Sequence, residues 1–238
     1  MQKFMLCVLG IILTLVQTIG FADPPLPTPV GRVVWVTGSL KALMPNQEER
    51  TLVKSSVIYL KDTLITDAKS QAQIVFTDNT LLTFTPQTRF VIDQYSYNPQ
   101  AKSKSIGKYV MNLIEGGFRT ITGLIAKKNP TDYQVNTPVA TIGVRGTDYA
   151  VYVKGGQLSM AQYGGSPCIQ NDKGSLCLNS TVTMGGVSIG GSVHPITTLP
   201  PAIQQKAEIK PAAIAPFTGG GGTQSAPQGP ISSFCITN

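Results

Sequence analysis

The chain has 238 residues, of which 13% are charged, 42% apolar and 7% aromatic, with 24 Gly, 17 Pro, a single His and a formal charge of +7. A charged fraction about half the usual ~25% excludes a long solvated helix or coiled coil, and the near-normal apolar content excludes a wholly disordered chain. The lone imidazole, His194, sits directly before Pro195 and speaks against a histidine-based enzyme or zinc site.

Taken in chain order, Lys3, the apolar run 4–16 and the small-residue pattern Gly20-Phe21-Ala22 read as a secretory signal peptide over residues 1–22. The run is short of the roughly 20 residues a membrane span needs, so cleavage is preferred to anchoring. The mature protein is then expected outside the cytoplasm, periplasmic or secreted, with no stable span. Residues 23–30 form a Pro-rich spacer. Residues 31–193 carry the folded domain, and residues 194–238 turn to Pro, Gly, Ala and Gln, the composition of a mostly disordered tail.

Within the domain, short runs at 32–36, 40–44, 63–66, 72–76, 81–85, 89–92, 109–113, 133–136, 140–144, 149–153, 157–161 and 181–184 are rich in Val, Ile, Thr, Tyr and Phe. Their composition and spacing predict an all-β domain. Asp78-Asn79 marks a hairpin turn between two of the runs. One helix is expected over 118–128, on the spacing of Phe118, Ile121, Leu124 and Ile125, with Pro130 ending it.

Three cysteines follow the leader: Cys168, Cys177 and Cys235. If Asp172-Lys173 make a two-residue turn, Cys168 and Cys177 face each other at a non-hydrogen-bonded pair, where a disulfide fits. If Gly174 is instead a left-handed bulge, the register slips by one and the two land on opposite faces. An oxidising compartment favours the disulfide, with Cys235 left free in the tail.

A search for chemistry returns little. No nucleophile–base pairing, phosphate loop, HExxH or acidic calcium loop is present. The carboxylates are scattered, and the adjacent pair Glu48-Glu49 reads as a solvated loop after Pro45-Asn46. No enzyme activity, cofactor, metal or nucleic-acid partner is therefore expected. The lysines gather as Lys102, Lys104 and Lys108, then Lys127-Lys128. Solvated loops are the first reading, and contact with an anionic envelope polymer or lipid headgroup is the second.

One stretch is specific: Thr137-Pro138-Val-Ala-Thr-Ile-Gly143-Val-Arg145-Gly146-Thr147-Asp148-Tyr149. Pro138 removes a ladder donor, so the strand must break or lie at an edge. Gly143 and Gly146 suggest a bulge or a close backbone approach. Arg145 can direct its guanidinium at carbonyls or at Asp148, as a structural clamp.

This stretch, together with Gly31-Arg32-Val33, Leu64-Ile65-Thr66-Asp67 and Leu113-Ile114-Glu115-Gly116-Gly117 in order upstream, resembles the FecR domain family. The resemblance implies a short β-helix or β-roll and a non-enzymatic binding module, engaging a protein partner or envelope component in cell-surface signalling. The best-known members carry an anti-sigma segment before a membrane helix. Only Met1-Gln2-Lys3 precede the apolar run here, so that segment is not expected. A secreted structural or adhesive module holding anionic polymer is the alternative, and a carboxylate-based hydrolase ranks last.

Overall fold

The computed structural model describes residues 28–204. The expected leader, most of the Pro-rich spacer, Cys235 and the end of the tail lie outside the described residues.

Strands follow one another almost without interruption. The first eight are β1 (Pro29–Thr37), β2 (Leu40–Leu43), β3 (Glu49–Leu52), β4 (Val57–Tyr59), β5 (Thr63–Thr66), β6 (Gln71–Phe76), β7 (Leu81–Phe84) and β8 (Arg89–Tyr97). The long β9 (Gly107–Ile121) leads into the one-turn helix α1 (Leu124–Lys128). Then come β10 (Tyr133–Asn136), β11 (Thr141–Gly143), β12 (Asp148–Lys154), β13 (Gln157–Gly164), β14 (Cys168–Asn171), β15 (Gly174–Cys177), β16 (Met184–Ser188) and β17 (His194–Pro195). The domain is all-β, as its alternating apolar runs predict.

The ladders form two layers that share β9. One runs β4–β1–β6–β7–β9–β12–β13–β16–β17. The other runs β3–β2–β5–β8–β9–β10–β11–β14–β15. Residues 107–115 of β9 pair with β8, and residues 118–121 pair with β7 and β12. The chain passes back and forth between the layers, and each visit leaves one strand or a hairpin. Every described pairing is antiparallel except β9–β10. Of the two forms the resemblance implies, this pattern is the roll.

The core lies between the layers. Phe84 on one meets Phe90 on the other at 5.3 Å between ring centroids, Phe90 meets Phe118 at 5.5 Å, and Phe76 meets Tyr109 at 5.3 Å. All five rings are essentially inaccessible to solvent, and tilted and edge-on contacts of this kind add to the area they bury. The parallel register sets Tyr133 opposite Tyr109, and their rings stack at 4.4 Å.

The helix expected over 118–128 is corrected: Phe118 to Ile121 belong to β9 and only Leu124–Lys128 is helical. Phe118 faces Phe84 on one side and Val151 on the other, so ladders on both sides hold this segment extended. A helix would forgo both sets of bonds and withdraw a buried Phe. The strand expected at 181–184 also moves, to β16. The Asn179 side chain accepts from the backbone N–H of Thr181 and Val182, making a turn where the strand was expected. Of the Glu48-Glu49 pair, Glu48 is in the loop and Glu49 starts β3, where it pairs with Lys41 at 2.9 Å.

The spacer and tail boundaries also shift. Pro29 and Val30 are already in β1, with Val30 buried. Beyond residue 193, β17 pairs with Gly185 and Gly186, and Ile203 of the helical turn Pro201–Gln204 is buried.

The two-residue turn is the one that forms. Asn171 pairs with Gly174 and Cys168 faces Cys177, joined as a disulfide. The flanking bond from Leu178 N–H to the Pro167 carbonyl makes Cys168–Cys177 a non-hydrogen-bonded pair. Replacing both cysteines with Ser is expected to cost about 2–3 kcal/mol, the loop-closure value for so short a loop. Denaturant midpoints with and without reductant check it: the native chain should shift under reductant and the Ser variant should not.

Candidate anion-binding cleft

The Thr137-to-Asp148 stretch is built from turns. Strand β10 stops at Asn136, and Pro138-Val139 form the tip of a hairpin into β11. The Thr137 hydroxyl accepts from Ala140 N–H and donates to the Ala140 carbonyl, so the break at Pro138 is closed by a side chain. Gly143 sits in β11, where an added Cβ would meet no atom within 4 Å. Its expected close approach is not observed, and nothing in the structure explains the glycine. Gly146 is different: its φ is +61°, and a Cβ on Gly165 would come within 2.4 Å of its carbonyl.

Thr147 is the anchor of the next turn. Its N–H donates to the Thr122 hydroxyl at 2.8 Å, and its carbonyl accepts from Thr122 N–H at 3.0 Å. The start of β12 is thereby tied to the end of β9. Asp148 is gripped by Arg119, whose Nε and Nη2 donate to its two oxygens at 2.9 and 2.7 Å. The clamp expected from Arg145 to Asp148 is therefore corrected. The carboxylate is taken by a cation from the neighbouring strand, and Arg145 is exposed in the turn. Arg119 also lies over the Tyr163 ring at 4.8 Å.

On the far side of Thr122 begins α1. Its first N–H groups are met by Asp78 in the β6–β7 turn: Leu124 N–H donates to the Asp78 carbonyl at 2.8 Å, and Ile125 N–H to its carboxylate at 3.3 Å. Asp78 Oδ1 accepts from Thr80 N–H and the Tyr95 hydroxyl, and Oδ2 accepts from the Thr80 hydroxyl. Burial nonetheless pushes its carboxyl above the usual range, outweighing these bonds. Burial likewise raises the hydroxyls of Tyr95, Tyr109, Tyr133 and Tyr149, so these four hold their protons more tightly than a solvated tyrosine does.

These ties bring Lys127 and Lys128, at the end of α1, beside the Arg145-Gly146 turn. A Cβ on Gly146 would lie 3.9 Å from Lys127 Cγ. With Lys104 they border a cleft of about 560 Å³, whose rim also holds Thr131. Among the described residues, no carboxylate forms a salt bridge with any of these four cations. The expected lysine group divides. Lys108 lines a neighbouring hollow of about 410 Å³ with Asp132, and exposed Lys102 borders neither. Arg145, read from sequence as part of a clamp, joins the lysines instead. The sequence had set Lys104, Lys127 and Lys128 among the possible anion contacts; no local signal adds Arg145 to them.

The architecture is an all-β roll of two layers, antiparallel but for the β9–β10 pair, with a basic cleft at the junction of α1 and the Arg-Gly-Thr turn. Residues 62–166 match the family model described as FecR protein. No curated protein matches the chain. Two crystal structures described as a "putative anti-sigma factor" from Parabacteroides distasonis are similar at 15% and 14% identity, with TM-scores of 0.43 and 0.41. Each alignment covers 56% of this chain and 57% of that one, so the chain spans little more than half the length of these solved structures. No helix among the described residues is long and apolar enough to cross a membrane.

Proposed function

We propose that the chain is a non-enzymatic, extracytoplasmic FecR-domain protein that binds a protein or envelope component in cell-surface signalling. The observation that carries this reading is the cleft itself, where Lys104, Lys127, Lys128 and Arg145 stand exposed on a rigid frame inside the FecR-matched segment. Uncompensated positive charge at one place attracts an anionic partner and speeds its association. The most buried carboxylates support a non-catalytic role. Asp62 holds Arg50 and Tyr59 N–H, and Asp78 holds the start of α1, so both serve turns.

The test is cross-linking of the full chain in its own envelope, beside a Lys104→Gln/Lys127→Gln/Lys128→Gln variant. A defined adduct from the native chain, at least fivefold weaker in the variant, is expected. Fractionation of the native chain with the cytoplasm, or the absence of any adduct, would reject the reading. A second reading, adhesion to anionic polymer, is favoured by the further positive charge of Lys108 in the neighbouring hollow and of exposed Lys102. It predicts retention on wall material that declines smoothly with salt and depends on Lys102 and Lys108 as much as on the cleft.

A further inference from the structure

We propose that the cleft is a site for a multiply charged phosphate group, with Arg145 as its directional ligand and Lys104, Lys127 and Lys128 as point charges around it. The inference rests on the binding-module reading and names the chemistry recognised there.

Four observations carry it. First, the cations come from three separate segments: the loop before β9, the end of α1 and the turn before β12. Lysines at a helix C-terminus are ordinary, because they complement the helix dipole. That accounts for Lys127 and Lys128 and leaves Lys104 and Arg145 unexplained. Second, like charges gathered in one cleft repel one another, and the fold holds the segments bearing Lys127, Lys128 and Arg145 there through buried bonds rather than letting them splay. Thr147 ties to Thr122, Thr80 Oγ1 accepts from Gly123 N–H, and Asp78 caps α1. Third, the lining carries no aromatic ring. Its apolar members are Ala126 and Pro130, so a base or sugar would find nothing to stack on. Recognition there must run through charge and hydrogen bonds. Fourth, a single carboxylate would leave most of the positive charge unbalanced, whereas a pyrophosphate-like group brings several negative oxygens into a space of about 560 Å³. A guanidinium supplies the paired donors that phosphate oxygens accept, and lysines add charge without fixed geometry. Gly146 assists: its φ of +61° turns the backbone beside Lys127, and it has no Cβ to narrow the cleft.

The same phosphate chemistry occurs on anionic lipid headgroups and on free polyphosphate, and the experiment separates them. Calorimetric titration of the full chain with tripolyphosphate is run beside co-sedimentation with phosphatidylglycerol and phosphatidylcholine vesicles. The site variant is Arg145→Gln/Lys127→Gln/Lys128→Gln. The control is Lys54→Gln/Lys69→Gln/Lys154→Gln, which removes the same charge from exposed positions elsewhere. Melting temperatures confirm that both variants fold. Tripolyphosphate affinity is expected to fall at least tenfold in the site variant and to change less than twofold in the control. Sedimentation with phosphatidylglycerol that tripolyphosphate reverses assigns the headgroup as source, and soluble binding without sedimentation assigns free polyphosphate. Three results would overturn the site: equal losses in both variants, oligoglutamate of matching charge binding as tightly, or sedimentation that tripolyphosphate does not compete. If the site variant loses the envelope adduct while its phosphate binding proves no weaker than native, the binding-module reading stands and the phosphate site alone falls.

Discussion

Asp78→Ala is expected to lower the stability of the domain by about 3 kcal/mol, read as a drop in denaturant midpoint with unchanged slope. The side chain accepts from Thr80 N–H at 3.0 Å, Ile125 N–H at 3.3 Å, the Thr80 hydroxyl at 2.9 Å and the Tyr95 hydroxyl at 3.3 Å. Removing it strands the buried N–H groups of Thr80 and Ile125, each costing about 1–3 kcal/mol. Relief from burying a carboxylate offsets part of that loss. Because α1 starts on Asp78, the variant should also weaken tripolyphosphate binding although it touches no cleft residue.

Asp78→Asn sharpens the test through pH. Burial raises the native carboxyl above 3.8, its value when solvated, so the folded state holds the proton more tightly than the unfolded state does. The stabilisation this group contributes is fully present below pH 3.8 and is lost as pH rises through the raised value. The amide cannot titrate, and its NH2 would oppose a backbone N–H at Ile125. The Asn variant should therefore be less stable than the native chain, by a margin that is largest at low pH and narrows towards neutrality. A margin that widened with pH would show the carboxyl to be held low.

Gly116→Ala should cost about 4 kcal/mol, or roughly 10 °C of Tm for a domain of this size. Gly116 lies where β9 leaves one layer for the other, with a φ of +79° that an L side chain rarely adopts. A Cβ there would lie 2.4 Å from the Gln87 carbonyl oxygen and 2.5 Å from Thr88 Cα, both backbone atoms that cannot swing aside. Moving that turn would also break the bonds that fasten the crossing. The Thr88 hydroxyl donates to the Gly117 carbonyl at 2.9 Å and accepts from Gly117 N–H at 3.0 Å. Gly155→Ala is the control: its φ of +56° is also strained, but its Cβ would meet no atom within 4 Å. The Gly116 variant should lose at least about 2 kcal/mol more than it.

Much of the strand content was legible because strands such as β2, β5 and β10 alternate buried and part-exposed residues, and a period of two records which side is covered. The run 63–66 is β5 to the residue, and 133–136 is β10. Short polar edges were not legible. In β3 only Leu52 is buried, so Glu49–Leu52 lacks an alternating signal. The segment after Gly116 read as helix because Phe118, Ile121, Leu124 and Ile125 also satisfy a helical spacing. Strands on both sides settled the matter, and local spacing cannot see them.

From its residue order alone, the chain determines an all-β domain, a break at Pro138, a turn at Asp78-Asn79 and two cysteines at the ends of a short hairpin. These features are local: each follows from backbone freedom and solvent preference within about ten residues. Tertiary structure decided the rest. It gave Asp148 to Arg119 rather than Arg145, because β9 and β12 lie side by side while the turn at Gly146 carries Arg145 outward. It brought Lys127, Lys128 and Arg145 to one corner, because Thr122, Thr147 and Asp78 tie α1, the turn before β12 and the β6–β7 turn together there, and Lys104 borders the same cleft from the loop before β9. Charges far apart in the chain interact through space, and only the completed ladders set those distances.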